Sequence, residues 1–311
     1  MRPSHPQTAD HDGRKFKLTK TRVGNLLQRS SCAMFALTGF SIRPQHYLLM
    51  KKLKSINSVT SVKTLERDLK IASSILEWEM GDIWGHIGVR LPGGEGIMVK
   101  SIRPPAGEEE RKDWLVRFDY SGKKLSGVGT PPFEAPIYTQ IFKVRPDVQA
   151  IAHAHAPMCI VLSLADRTVA AVHMQSIPFE QGVPFYSRPI HIKDDTEGAD
   201  LARVLGQARA VIIKAHGLVT AGKNIDEACM TALYLERTAK IQVLAHAIGF
   251  PGPTAEFVAE MANSKEILLN RPDVARAQSG KRLFLRMALL REKGEAEGKM
   301  DEGMELIFSV R

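Results

Sequence analysis

Between Leu65 and Trp78 the apolar residues Leu65, Leu69, Ile71, Ala72, Ile75 and Leu76 recur at helical spacing, which predicts an amphipathic helix. Ile83 to Leu91 then reads as a strand, Pro92-Gly93-Gly94-Glu95-Gly96 as a tight turn, and Ile97 to Ser101 as its hairpin partner. Trp114 to Tyr120 alternates as a further strand, closed by Ser121-Gly122-Lys123, and a Gly/Pro loop from Gly127 to Pro132 leads into a helix over Glu134 to Lys143. Val148 to His155 is a short, mostly apolar strand, followed by a short helix over Met158 to Leu164 and a strand over Ala170 to His173. Asp194-Asp195-Thr196-Glu197 is a helix start, an N-cap with acids in the first turn, and the helix runs to Leu205. Ala210 to Ala215 reads as a buried strand ending at His216-Gly217; Asp226 to Ile248 is a long helix stopped by Pro251 and Pro253, and residues 254–311 are helical and charged. Interleaved strands and helices predict an α/β fold, a central mixed sheet with helices on both faces.

The strand over Val148 to His155 carries the first sign of chemistry. Side chains two apart on a strand share a face, so His153 and His155 project together and can share one divalent cation. Two ligands hold a metal poorly, since zinc and its neighbours take three or four. His216, where a strand runs into a glycine turn, and Glu134, at a helix start after a Pro-rich loop, are candidates for the rest. Each has an ordinary alternative: a histidine at a strand end is commonly a hydrogen-bonded structural residue, and a glutamate at a helix start is commonly solvated and favoured by the helix dipole.

Composition narrows the class. A hydrophobic fraction of 44% and a charged fraction of 25% suit an ordinary globular chain, and no apolar run reaches the roughly 18 residues of a membrane span. Cys32, Cys159 and Cys229 are far apart and form no Cys-x-x-Cys pair, which argues for reduced thiols and against a cysteine zinc site. The net charge of +9 hints at nucleic acid until it is located: residues 1–60 hold eleven Lys and Arg against Asp10 and Asp12, so the remaining chain is neutral. Residues 1–61 are therefore expected to be a basic, disordered extension, a transit peptide, or sequence upstream of a start near Met50. The body is expected at 62–250, with a helical extension over 251–311, in the cytoplasm, or in an organelle if the arm is a transit peptide. Neither nucleic acid nor membrane is expected as a partner.

The order Glu134, Arg145-Pro146-Asp147, His153-Ala154-His155, His216-Gly217-Leu218, then Tyr234-Leu235-Glu236 on the following helix resembles the class II aldolase/adducin family over roughly residues 63–250. The resemblance implies a three-layer α/β/α sandwich, a homotetramer with active sites at subunit interfaces, and a catalytic metal on the equivalents of Glu134, His153, His155 and His216. Zinc is the first expectation for that metal, with manganese, iron or cobalt as alternatives. Adducins share the fold without a metal site; all four ligand types stand here.

Sugar-phosphate members bind phosphate with a Gly-Asn-x-Ser turn, a Thr-Gly turn and a Ser-Ser pair before the metal glutamate. This chain reads Gly85-His86-Ile87-Gly88, Lys100-Ser101-Ile102-Arg103 and Pro132-Phe133 at those places, and so lacks most of the donors a phosphate needs. Trp84-Gly85-His86-Ile87-Gly88-Val89-Arg90 looks instead like the Phe-Gly-His-x-Ser-x-Arg segment of decarboxylase-like members, and Arg103-Pro104 like their Arg-Ala-Pro element. Gly88 in place of Ser, and Tyr138 where a histidine often follows the glutamate, are departures from that pattern. The resemblance implies a metal-dependent carbon–carbon lyase, foremost a decarboxylase of a hydroxy or oxo, and in one version aromatic, carboxylic acid through a metal-stabilised enolate. Arg103 would grip the carboxylate, and His86 or His173 would protonate the carbanion. The competing expectations are an aldolase or epimerase on a sugar or hydroxy-oxo acid, an adducin-like interaction module, and a metal-using oxygenase.

Overall fold

A computed structural model of the chain describes residues 61–101 and 115–269. The expected N-terminal extension, the Arg103-Pro104 element and the distal part of the C-terminal extension lie outside these residues.

The opening helix, α1 (Val62–Met80), starts where the Ser61 hydroxyl accepts a hydrogen bond from the Thr64 N–H, and it stops at Gly81, whose left-handed φ of 62° only a glycine adopts cheaply. Its buried stripe is Leu69, Ala72, Ile75, Leu76 and Met80, close to the periodic set read from the sequence. Strands β1 (His86–Arg90) and β2 (Ile97–Lys100) form the expected hairpin, and β3 (Leu115–Phe118) and β4 (Lys124–Gly127) extend it. Helix α2 (Ala135–Val144) and strand β5 (Ala150–Ala154) follow, then α3 (Pro157–Leu164), a short 3-10 turn (Met174–Phe179) and β6 (Phe185–Tyr186). Helix α4 (Asp195–Leu205) is capped by the Asp194 carboxylate, which accepts from the Glu197 N–H at 2.9 Å. The chain then forms the hairpin β7 (Ala210–Ile213) and β8 (Gly217–Gly222), and helices α5 (Ile225–Ala247) and α6 (Ala255–Leu269).

Among the described residues eight strands make one sheet in the order β4-β3-β2-β1-β5-β8-β7-β6, antiparallel except for the β6/β7 pair. Strand alternation divides the core in two. Ile87, Val89, Ala150, Ala152, Ala210, Ile212 and Leu218 pack with α1, α3 and α5 on one face; Ile151, Val211, Ile213, Val219 and Ala221 pack with α2 and α4 on the other. The expected three-layer sandwich is the observed fold.

The expected strand over Ala170 to His173 is not one. The Ala170 N–H donates to the Gln242 side chain and the His173 N–H to the Ser176 hydroxyl, so side chains take the donors that a sheet ladder would need. Conversely, the stretch after His216, expected only as a turn, is strand β8, and it sits in the middle of the sheet beside β5.

Candidate metal centre

The four expected ligands arrive from three places and meet at the end of β5. His153 lies within β5, on the face covered by α2 and α4; His155 stands just past its end; His216 occupies the three-residue turn between β7 and β8. Glu134 takes the N-cap position of α2, yet its carboxylate caps nothing there and turns inward, where it accepts from the Ile192 N–H at 2.8 Å. The ordinary reading of a solvated helix-start glutamate therefore does not hold, for Glu134 is buried. One ligand atom from each of Glu134, His153, His155 and His216 lies within 4.8 Å of the other three.

Hydrogen bonding on the far side of each ring fixes what the near side offers. His153 Nδ1 faces the Leu218 carbonyl at 2.9 Å, and His216 Nδ1 faces the Ile190 carbonyl at 2.9 Å. A carbonyl only accepts, so both Nδ1 atoms carry the proton, and in the neutral ring each Nε2 presents a bare lone pair. His155 is arranged likewise, with Nδ1 3.1 Å from an Asp82 carboxylate oxygen. Yet His153 Nε2 stands 3.2 Å and His216 Nε2 3.6 Å from the Glu134 carboxylate, and neither buried nitrogen has a hydrogen-bond partner. Lone pairs facing a carboxylate repel unless the imidazoles take up a second proton or a cation sits between them. Burial lowers the His153 pKa even though the Glu134 carboxylate favours the proton. The donor set, three imidazole nitrogens and one carboxylate, with outer-sphere acceptors on each ring, fits a divalent cation.

Asp82 itself is kept ionised: burial raises its carboxyl, but hydrogen bonds from the His155 ring and backbone and from the Trp84 N–H outweigh that and hold it below the ordinary range. The same pair moves His155 the other way. Burial lowers its pKa, and Asp82 more than offsets this.

A model of the class II aldolase and adducin N-terminal domain matches residues 76–243, more than half of the chain and all four ligands. The chain belongs to the class II aldolase and adducin family. Among its relatives, a 3,4-dihydroxyphthalate decarboxylase of Arthrobacter keyseri is 27% identical over 180 residues, 54% of this chain and 72% of that protein. The L-fuculose phosphate aldolase of Escherichia coli strain K12 is 26% identical over 176 residues, 54% of this chain and 77% of that protein. In three dimensions the L-fuculose 1-phosphate aldolase from Glaciozyma antarctica PI12 superposes with a TM-score of 0.60 at 23% identity, over 77% of this chain and 94% of that one, a likeness of fold.

Against the family pattern, the two departures noted in the sequence turn out to be one packing solution. A Cβ at Gly88 would lie 2.6 Å from the Tyr138 ring, so the tyrosine occupies the room a serine side chain would need. The Tyr138 hydroxyl donates to the His86 carbonyl at 3.0 Å and sits 2.6 Å from His86 Nδ1, which therefore donates to it. Burial, and next the neighbouring His153, push the His86 pKa down to about 3. The ring of His86 lies 5.2 Å from that of His153, so this candidate is beside the cluster and neutral.

The other two candidates are placed differently. His173 caps the 3-10 turn: its Nδ1 accepts from the Gln175 N–H and its Nε2 meets Thr238 Oγ1 at 3.0 Å, and no described hydrogen bond or ring contact joins it to the four ligands. Thr238 spends its own proton on the Tyr234 carbonyl, so His173 must donate to it. Arg103 lies outside the described residues. The Glu236 of the Tyr-Leu-Glu motif accepts from the Met158 and Cys159 N–H groups, at 2.9 and 3.1 Å, and so caps the helix that follows His155. Three contributors went unread in the sequence: Asp82, the 190–192 segment that orients both His216 and Glu134 through its backbone, and His191. The His191 ring lies 5.0 Å from that of His216, with Nδ1 3.7 Å from Glu134, and stands T-shaped to the exposed Phe133 ring at 6.3 Å. Only the histidine type of His191 was a signal; backbone partners leave none.

Proposed function

We propose that this protein is a metal-dependent carbon–carbon lyase that decarboxylates a hydroxy or oxo carboxylic acid. The reading is carried by the convergence of three imidazoles and one carboxylate on a point where a cation would relieve the repulsion between them. A divalent ion bound there, zinc foremost, supplies Lewis-acid stabilisation for the negative charge left when CO2 departs.

The chain's own residues favour decarboxylation over phosphate-sugar cleavage. Pro132 and Phe133, just before Glu134, offer no hydroxyl to a phosphate, and Phe133 instead presents an exposed aromatic ring beside His191. Such a rim suits a planar, aromatic acid. The resemblance to 3,4-dihydroxyphthalate decarboxylases of Arthrobacter keyseri and Terrabacter sp., at 27% and 25% identity, supports the same class. In this reading Arg103 grips the substrate carboxylate. His86, neutral and with Nδ1 committed to Tyr138, would relay to carbon through Nε2 the proton that the substrate hydroxyl gives up, burial making the charged ring a short-lived, strong donor. The substrate is a free small-molecule acid, and the working unit is a homo-oligomer.

The test is CO2 release by metal-loaded protein from hydroxybenzoates, dihydroxyphthalates and β-oxo acids, with and without chelator. Release that chelation abolishes is expected. Two carbonyl fragments or a stereoisomer in place of CO2 would overturn decarboxylation in favour of an aldolase or epimerase, the chemistry of the fuculose phosphate relative. His155→Ala should lose metal and turnover while its far-ultraviolet dichroism stays that of the parent; full activity in that variant would remove the metal centre from the mechanism.

A further inference from the structure

We propose that Asp82 is the positioning residue of the centre: acting through His155, it sets the orientation and donor strength of that ligand, and thereby how tightly the divalent cation is held. The inference rests on the reading of the cluster as a metal centre and goes beyond it, because Asp82 touches none of the other three ligands through any described hydrogen bond or ion pair.

His155 is the ligand the fold holds least. Its neighbour Ala154 is the last residue of β5, paired with Leu218, so the ladder ends one residue short of it. Its side chain is 28% exposed, whereas those of His153 and His216 are buried. Asp82 replaces the missing ladder: one carboxylate oxygen accepts from the His155 backbone N–H at 2.8 Å and from Nδ1 at 3.1 Å, fixing main chain and ring together.

The local sequence is built to deliver that oxygen. Gly81 ends α1 in the left-handed conformation and turns the chain toward the sheet. The second Asp82 oxygen accepts from the Trp84 N–H at 2.9 Å, a local turn that fixes the carboxylate's rotation. At Gly85 a Cβ would lie 2.8 Å from the Asp82 oxygen that holds His155, and 3.2 Å from the His153 carbonyl, so any larger residue would push the carboxylate off its ligand.

Chemistry distinguishes Asp82 from the partners of the other rings. Leu218 and Ile190 offer neutral carbonyls, which orient an imidazole; a carboxylate also draws the Nδ1 proton and makes Nε2 a stronger donor. His155 is therefore the ligand with the least support from the sheet and the most from its outer partner.

A double-mutant cycle on the full chain tests this. Zn²⁺ affinity by chelator competition and the Co²⁺ absorption spectrum are measured for the parent, Asp82→Asn, His155→Ala and the double variant. Asp82→Asn should weaken Zn²⁺ binding roughly 10- to 100-fold in the parent and shift the Co²⁺ bands, while adding little to the loss already caused by His155→Ala. Equal losses in both backgrounds would show that Asp82 merely supports the loop, and unchanged affinity and spectrum in the parent background would show that it supports nothing at the centre; either overturns the proposal and leaves the metal reading intact. Failure of the parent itself to bind Zn²⁺ or Co²⁺ would overturn the metal reading and the proposal with it.

Discussion

Gly88 and Tyr138 behave as one residue written in two places. The ring fills the space above the glycine, and its hydroxyl is shared between the His86 ring and carbonyl. Gly88→Ser should therefore overpack this spot and cost about 1–3 kcal/mol in denaturant unfolding. Combined with Tyr138→His it should cost less than the sum of the two single changes, with a coupling of about 0.5–3 kcal/mol; strict additivity would mean the two positions do not share the space. At this scale much of the centre was legible. Glu134, His153, His155 and His216 announce themselves by residue type, strand spacing and order. Asp82 does not, because an aspartate after a helix-ending glycine is an ordinary turn residue until the fold brings it against a residue far along the chain. Backbone acceptors such as Leu218 and Ile190 leave no trace in residue identity at all, and His173, a plausible proton donor by type, spends both nitrogens on capping a turn and meeting a threonine.

Among the elements, α2 matters most, because Glu134 rides on its first turn. Arg90, at the end of β1, secures the other end of that helix. Its guanidinium donates to the carbonyls of Phe142, Arg145 and Val148 and lies 4.5 Å over the Phe142 ring. Arg90→Met keeps bulk but leaves these carbonyls short of donors, and should lower unfolding free energy by about 1–3 kcal/mol, read from a shifted denaturant midpoint. No change in midpoint would mean that water satisfies the carbonyls equally well. The helices were legible where a period of 3.6 ran for several turns, as in α1, or where a start or stop signal marked an end, as in α4 and α5. Two of the strands were not: β6 is two residues long, and β4 is exposed at the sheet edge, so neither carries an alternating apolar signal. The expected strand over Ala170 to His173 shows the converse failure, an apolar run buried by side-chain-to-backbone bonds instead of a ladder.

For the whole molecule, the cluster places a carboxylate against lone pairs at the junction of β5, β8 and α2, so the cation should tie the layers together. A ligand that binds only the folded state stabilises it by about 2.7 kcal/mol at a hundredfold excess over its dissociation constant. Stripping the metal with a chelator should lower the calorimetric melting temperature, and adding Zn²⁺ should restore it; a melting temperature indifferent to both would mean the ion binds elsewhere or not at all. The sheet order gives this centre a particular place in the life of the chain. Strand β5, with His153, lies between β1 and β8, partners about equally distant before and after it in sequence. On a ribosome, therefore, Asp82, Glu134, His153 and His155 all emerge before the turn that carries His216 and the Leu218 carbonyl that sets the His153 ring. The nascent polypeptide therefore lacks the fourth side chain of the cluster until the β7–β8 hairpin is made, so a cation that needs all four would bind only after it.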